Sequence, residues 1–281
     1  MNKLVTFLNK LAHGFSASFL ETNNLKEEYG ESSGVSISIQ GLNKAFDGKP
    51  ILKNINLNIE AGETFSIIGP SGTGKSLLLK HIAKLELPDS GQIFVDGHNI
   101  HTNNGVPERS YRYSMVFQSS ALFNSLTVGE NVGLWLREKR VRRESRIRRI
   151  IHEKLSLVGL AGTEDMLTSE LSGGMKKRVA IARSLAMNPD LILYDEPTAE
   201  LDPVTSDELA KVIQSLKIKL NLTTIIVSHD LNFALYLSDR VAMMDNGEII
   251  EIGTPEELKK SQNKKIRDFI YTTTKGIKEG K

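Results

Sequence analysis

Residues 69–76 have the types and the spacing of a phosphate-binding loop. They read Gly-Pro-Ser-Gly-Thr-Gly-Lys-Ser, which matches G-x-x-x-x-G-K-[ST], between a predicted strand and a predicted helix. Glycines let the backbone curl so that N–H groups point at phosphate oxygens, and the helix directs its positive end toward the same anion. The lysine can reach β- and γ-phosphates, and the serine can bind Mg²⁺. The predicted contacts are Gly69, Pro70, Ser71, Gly72, Thr73, Gly74, Lys75, Ser76 and Leu77.

Two adjacent carboxylates end an apolar run at residues 191–196. A buried strand there would place Asp195 beside the phosphate loop, where its carboxylate can hold Mg²⁺ through water. Glu196, one residue later, would point differently, toward the γ-phosphate, and could act as general base on an attacking water. The alternative is that the two charges only cap a strand. The presence of a phosphate loop earlier in the chain argues against this alternative.

Strands that alternate with helices must position these groups. The apolar pattern predicts strands at residues 35–39, 55–59, 64–68, 191–194 and 224–228, and helices at 75–83, 144–158, 174–187 and 203–219. Asp245, Asn246 and Gly247 between two further apolar runs predict a hairpin. This order favours a parallel sheet with helices on both faces.

Composition excludes several classes of protein. The 281 residues are 40% hydrophobic and 25% charged, as in an ordinary globular protein, and no apolar run is long enough to span a membrane. The net charge of +2 argues against a dedicated nucleic-acid binder. There is no cysteine, which rules out disulfides and cysteine-based metal sites.

Further motifs connect these features to a known family. Residues 171–175 read Leu-Ser-Gly-Gly-Met and precede the acidic strand. The chain between residues 35 and 258 resembles the ATP-binding subunit of ABC transporters. The matching positions beyond the phosphate loop and the carboxylates are the Q-loop glutamine Gln118, the signature residues Ser172, Gly173 and Gly174, the D-loop aspartate Asp202, the switch histidine His229, and Phe46, which occupies the adenine-stacking position.

The resemblance implies an α/β fold: a RecA-like, mainly parallel sheet core, an antiparallel β subdomain and a helical signature subdomain at about residues 119–188. It implies an ABC ATP-binding domain at 34–260, preceded by an N-terminal helix and linker at 1–33 and followed by a tail at 261–281. ATP and Mg²⁺ are the implied cofactors. Two copies would sandwich two ATP molecules head to tail, so that one copy's signature meets the nucleotide held by the other's phosphate loop.

Residue roles follow from the same resemblance. The catalytic set is Glu196, His229, Gln118 and Lys75, and the metal-binding set is Ser76, Gln118 and Asp195. Phe46 would stack on adenine, with a core aromatic as the alternative. The alternatives for Gln118 and His229 are an ordinary surface amide and a satisfied strand-end histidine. Glu200 departs from the family, which usually has a small residue there, and we expect it to alter contacts at the dimer seam rather than ATPase activity.

Local features resemble the ATPases of MCE-type phospholipid transporters. They are Met175 in place of the commoner signature glutamine, the segment after Gln118, and the tail with Gly-Thr-Pro-Glu-Glu at 253–257. This predicts a transmembrane permease and an MCE-type lipid-binding subunit as partners, no nucleic acid, and a peripheral place on the cytoplasmic face of the inner membrane. The rival is a quaternary-amine importer ATPase, although such proteins usually carry a long C-terminal regulatory domain. Non-transport ABC ATPases have coiled-coil insertions or paired ATP domains that this sequence lacks.

Two segments keep open interpretations. Apolar residues recur at helical spacing between Leu4 and Phe19, which favours an amphipathic helix. Such a helix would pack on its own domain or on a partner subunit, or lie on a membrane surface. A disordered segment is the remaining alternative. The arginine-rich stretch at 137–149 indicates a solvated helix, with anionic lipid or nucleic acid as the alternative.

Overall fold

A computed structural model describes residues 33–101, 111–139 and 143–275, so the predicted N-terminal helix lies outside the described residues. A six-stranded sheet in the order β10-β9-β3-β8-β7-β6 forms its centre. Strands β3, β6, β7, β8 and β9 are parallel, and β10 pairs antiparallel to β9. The strands are β3 (Thr64–Ile68), β6 (Tyr113–Val116), β7 (Leu191–Asp195), β8 (Thr223–Ser228), β9 (Arg240–Asp245) and β10 (Glu248–Gly253).

A second sheet is antiparallel, in the order β2-β1-β4-β5. Buried and more exposed residues alternate along β1 from Ile37 to Ile39, and along β2 from Ile55 to Ile59, as expected of strands with one face on the core. Apolar side chains of both sheets join in one cluster around the helix that follows the phosphate loop. The strands are β1 (Ile37–Phe46), β2 (Lys49–Ile59), β4 (Ser90–Val95) and β5 (His98–Asn99).

Eight α-helices occur in the described part of the chain. Of these, α2, α3 and α4 pack on one another and fall within the stretch expected to form the helical subdomain. None of the described helices is both long and apolar enough to cross a membrane. The helices are α1 (Lys75–Ile82), α2 (Val128–Glu138), α3 (Glu144–Leu157), α4 (Gly173–Leu185), α5 (Pro203–Lys219), α6 (Leu231–Leu237), α7 (Pro255–Lys259) and α8 (Lys264–Lys275).

The fold class predicted from the sequence is confirmed, including its parallel and antiparallel sheets. The strands of the parallel sheet that carry the site, β3, β7 and β8, are buried at every position, which explains their uninterrupted apolar sequences. The domain boundaries stay a prediction. The arginine-rich stretch carries ion pairs of its own, since Glu144 pairs with Arg137 at 2.8 Å.

Candidate active site

The phosphate loop connects the end of β3 to the start of α1, and two of its glycines are required by close packing. Gly69 has φ +149°, and a Cβ there would lie 2.1 Å from the Met244 carbonyl oxygen. Gly74 has φ +100°, and its Cβ would lie 2.8 Å from Leu52 Cδ2. Both conformations are in the region that favours glycine. Any other residue at position 69 or 74 would therefore be strained in this loop.

Lys75 is buried at the centre of this loop, with 5% of its surface exposed. Its ammonium donates hydrogen bonds to the carbonyls of Gly69 and Pro70, both at 2.9 Å, and lies 4.0 Å from Glu196 Oε1. Burial lowers the pKa of Lys75, and the negative charges of Glu196 and Asp195 oppose that change. A buried cation held mainly by neutral carbonyls fits an anionic ligand such as a phosphate.

Asp195 ends β7 beside the phosphate loop, as the sequence predicts. The Ser76 hydroxyl donates a 2.6 Å hydrogen bond to Asp195 Oδ1, which joins α1 to the neighbouring strand end. A hydroxyl and a carboxylate are hard oxygen donors, the ligand type that Mg²⁺ prefers. This donor set therefore fits the predicted metal.

Glu196 leaves the strand in a left-handed conformation, with φ +48°. This turn directs its carboxylate between Lys75 and His229: one oxygen faces the lysine, while the other lies 2.7 Å from His229 Nδ1 and accepts from the His229 backbone N–H at 3.1 Å. A left-handed glutamate is strained, and such strain is frequent at functional sites. The arrangement can hold a carboxylate in place to take a proton from water.

Gln118 follows β6, which pairs in parallel with β7, so it leaves the sheet at the same edge as Asp195. Its side chain is exposed. Its backbone carbonyl accepts a hydrogen bond from the buried Lys177 of α4. Lys177 was not among the predicted site residues, although its spacing from the buried Gly174 and Ile181 puts a charge on an apolar helix face.

The signature lies at the start of α4. Ser172 caps this helix, and its hydroxyl accepts from the Met175 N–H at 3.3 Å. Ser172 and Gly173 are exposed, and Asp202 likewise caps α5. Within the described residues, no hydrogen bond or ion pair joins Ser172 or Asp202 to the phosphate loop. The chain thus brings Lys75, Ser76, Asp195, Glu196 and His229 together and leaves the signature apart.

Phe46 lies at the end of β1 with 45% of its surface exposed, so it is not a core aromatic. The Lys44 ammonium lies 5.1 Å from the centre of its ring. The exposed ring is available for stacking on a planar ligand.

A model of the family described as ABC transporter matches residues 52–199. The chain belongs to the ABC transporter ATPase family. As an ABC ATPase it binds ATP with Mg²⁺ and hydrolyses ATP. Solved cassettes share the fold: cbiO1 from Clostridium perfringens has a TM-score of 0.74 at 33% identity, over 80% of this chain and 91% of cbiO1.

Relatives of this ABC ATPase are named for the transport of different substrates. The probable ribonucleotide transport protein mkl of Mycobacterium tuberculosis is 38% identical over 84% of this chain and 67% of its own length. The spermidine/putrescine import protein PotA of Thermotoga maritima is 42% identical, over 81% and 61%. The intermembrane phospholipid transport protein MlaF of Haemophilus influenzae is 38% identical, over 85% and 92%.

Proposed function

We propose that this ABC ATPase energises phospholipid transport between the inner and outer membranes through a partner permease. It would bind to the cytoplasmic side of that permease. The observation that carries this proposal is the similarity to MlaF, which extends over 92% of that protein. The methionine at position 175, the segment after Gln118 and the tail at 253–257 support it, because they resemble the same group of transporters. An MCE-type lipid-binding subunit is the further partner that this function requires.

Import of a small solute is the second candidate. PotA is more identical to this chain, at 42%, and is a spermidine/putrescine import protein. That match extends over 61% of PotA.

The ATP site would be composite, with two copies of the chain arranged head to tail. Exposure of Ser172 and Gly173 supports this arrangement, since the N–H groups of a helix start are then open to an anion from outside the chain. The cassette MJ0796, with a TM-score of 0.69 and 33% identity over 78% of this chain and 98% of that chain, was solved as a dimer bound to ADP and Pi.

Each residue near the phosphate loop has a proposed task. Lys75 and the loop N–H groups bind the phosphates, and Glu196 takes the proton of the attacking water while His229 holds its carboxylate. Ser76, Asp195 and Gln118 would hold Mg²⁺, which would supply positive charge to neutralise the phosphates. Phe46 stacks on the adenine. On the second copy, Ser172, Gly173 and Gly174 contact the γ-phosphate, with Asp202 at the seam.

Purification of the tagged chain from its native membranes in mild detergent tests the proposal. We expect a permease, an MCE-type subunit and bound phospholipid to be recovered together. A permease with a solute-binding protein and no MCE-type subunit would support the importer instead. Recovery of DNA or ribosomes without a permease would contradict both candidates.

A further inference from the structure

The four-residue segment 118–121, which begins with Gln118, has an unfavourable backbone. Ser120 and Ala121 both have left-handed conformations, with φ of +62° and +46°. Residues with a Cβ pay a steric cost in this region, and neither side chain is of the kind that visits it readily. Contacts elsewhere in the protein must therefore hold the segment in this shape.

Two cations of the signature helix α4 supply those contacts. Lys177 donates to the Gln118 carbonyl. Arg183 uses both ends of its guanidinium: Nη2 donates to the Ser120 carbonyl at 2.9 Å and Nη1 to the Ala121 carbonyl at 2.7 Å. Three carbonyls of the segment are thus held by charge-assisted hydrogen bonds, which are stronger than neutral ones.

Both cations lie in environments that are partly or fully shielded from water, where a charge is destabilised. Lys177 is 5% exposed, and burial lowers the pKa of its ammonium and of the Arg183 guanidinium. The negative charge of Glu200 opposes this change at Lys177. Hydrogen bonds reduce the cost of a buried charge, and here carbonyls of the segment after β6 accept hydrogen bonds from both cations. The contact between helix and segment therefore depends on both partners.

We propose that Lys177 and Arg183 are positioning residues, which hold the backbone of residues 118–121 so that the Gln118 side chain is presented to the Mg²⁺ of the nucleotide. The inference rests on the proposed role of Gln118 as a metal ligand. Neither cation needs to touch the nucleotide. Lys177 acts at the residue that carries the amide, and Arg183 holds the two strained residues behind it.

The chain offers a matched control for the loss of a buried lysine. Lys154 of α3 is 7% exposed and pairs with Glu153 at 2.8 Å, on a different helix of the same helical region. Lys154→Met removes a buried ammonium, as Lys177→Met does, but leaves residues 118–121 untouched. Lys177→Arg keeps an N–H donor and should retain part of the native behaviour.

The first experiment is amide hydrogen exchange of the nucleotide-free full chain. In Lys177→Met and Arg183→Met, we expect faster exchange in residues 117–123, with other regions unchanged. Lys154→Met should leave that peptide at the native rate. Unchanged exchange there in both Lys177→Met and Arg183→Met would overturn the inference.

The second experiment measures ATP binding with Mg²⁺ and with EDTA, in a Glu196→Gln background that stops turnover. Lys177→Met should weaken binding with Mg²⁺ by about tenfold, the effect of losing one charge-assisted hydrogen bond, and leave binding in EDTA unchanged. In a Gln118→Ala chain the same substitution should cause no further loss, because its effect passes through Gln118.

The outcomes separate this inference from the proposed function. Equal losses with Mg²⁺ and with EDTA, or losses that add to that of Gln118→Ala, would overturn the positioning role alone. If the Glu196→Gln parent shows no Mg²⁺-dependent ATP binding, the proposed site fails and the inference fails with it.

Discussion

The two ends of the predicted ATP site differ in how far one chain completes them. Around the phosphate loop, Lys75 and Asp195 are 5% and 9% exposed and have partners within the chain. At the signature, Ser172 and Gly173 are exposed at the start of α4. The first region has a buried cation and a metal-type donor pair already assembled, whereas the second presents a helix N-terminus outward.

This difference indicates which tasks belong to a single chain. Phosphate binding and proton abstraction need groups that β3, β7 and β8 deliver to one edge of a parallel sheet, and each of these strands is buried. In the proposed composite site, closure over the γ-phosphate needs a second surface, which the exposed signature would supply to another copy. Substitutions in the first region should alter chemistry or binding, and those in the second should alter folding of α4 or pairing.

Glu196→Gln is expected to have the largest effect. The amide cannot take the proton of the attacking water, so steady-state ATP hydrolysis in the permease complex should fall by about 10²–10⁴-fold while ATP binding remains. Glu208→Gln, an exposed position on α5, is the control for a lost carboxylate and should leave turnover near native. Near-native turnover of Glu196→Gln would show that another group is the base.

Lys75→Ala should weaken binding as well as turnover, because the proposed contact between the ammonium and the phosphates would be lost in every state. Loss of a charged hydrogen bond predicts roughly 10- to 100-fold weaker binding of a fluorescent ATP analogue. Lys80→Ala, which removes an exposed lysine from the same helix, should bind normally. Unchanged affinity with lost turnover would show that Lys75 contributes only to stabilising the transition state.

Gly174→Ala should destabilise the signature region without touching the phosphate loop. A Cβ at Gly174 would lie 2.4 Å from Thr205 Cγ2, and such overpacking costs about 1–3 kcal/mol of unfolding free energy, measurable in urea. A Cβ at Gly173 meets Leu201 Cδ2 at 3.6 Å, so Gly173→Ala should be tolerated by the fold. Thr205→Ser removes the clashing methyl, keeps the hydroxyl that bonds Asp202, and should restore Gly174→Ala. Failure of this rescue would place the strain elsewhere.

Removal of residues 1–33 should have the smallest effect on ATP binding, since every site motif lies beyond them. Gly34 and Val35 bond to Asn221 and Thr223 near β8, so a cut after residue 36 serves as the destabilised comparison. ATP affinity and recovery in the membrane fraction should be measured for both truncations. Loss of ATP binding with unchanged membrane recovery in the first truncation would assign the segment to the core of the ATP-binding domain.

Much of the site could be predicted because its information is local. The phosphate loop and the Asp195–Glu196 pair follow from short patterns next to buried strands, and their contact follows from parallel strand ends that meet at one edge. The left-handed conformation of Glu196 could not be predicted, because no residue type near it in the sequence indicates a positive φ. Its partner His229 was found only through resemblance to the family, since 33 residues separate the two.

The helical region was harder to predict. Thr127 and Glu130 form a capping box at the start of α2, a pattern that was present in the sequence but not used. Strand β4 was missed because only Ile93 and Val95 are buried in it. The contacts of Lys177 and Arg183 join residues about 60 positions apart, and helical periodicity shows only that Lys177 interrupts an apolar face.

The most direct measurement of the central claim uses mixed dimers, trapped with nucleotide under non-hydrolysing conditions. In a head-to-tail pair, the signature of each chain would serve the phosphate loop of the other, so a Ser172→Arg chain paired with a Lys75→Ala chain would have both defects in one composite site. Its second site contains only native motifs, whereas a chain with both substitutions, paired with a native chain, has one defect in each site. Head-to-tail pairing predicts one fully competent site in the first dimer and none in the second. Equal nucleotide trapping by the two dimers would contradict it.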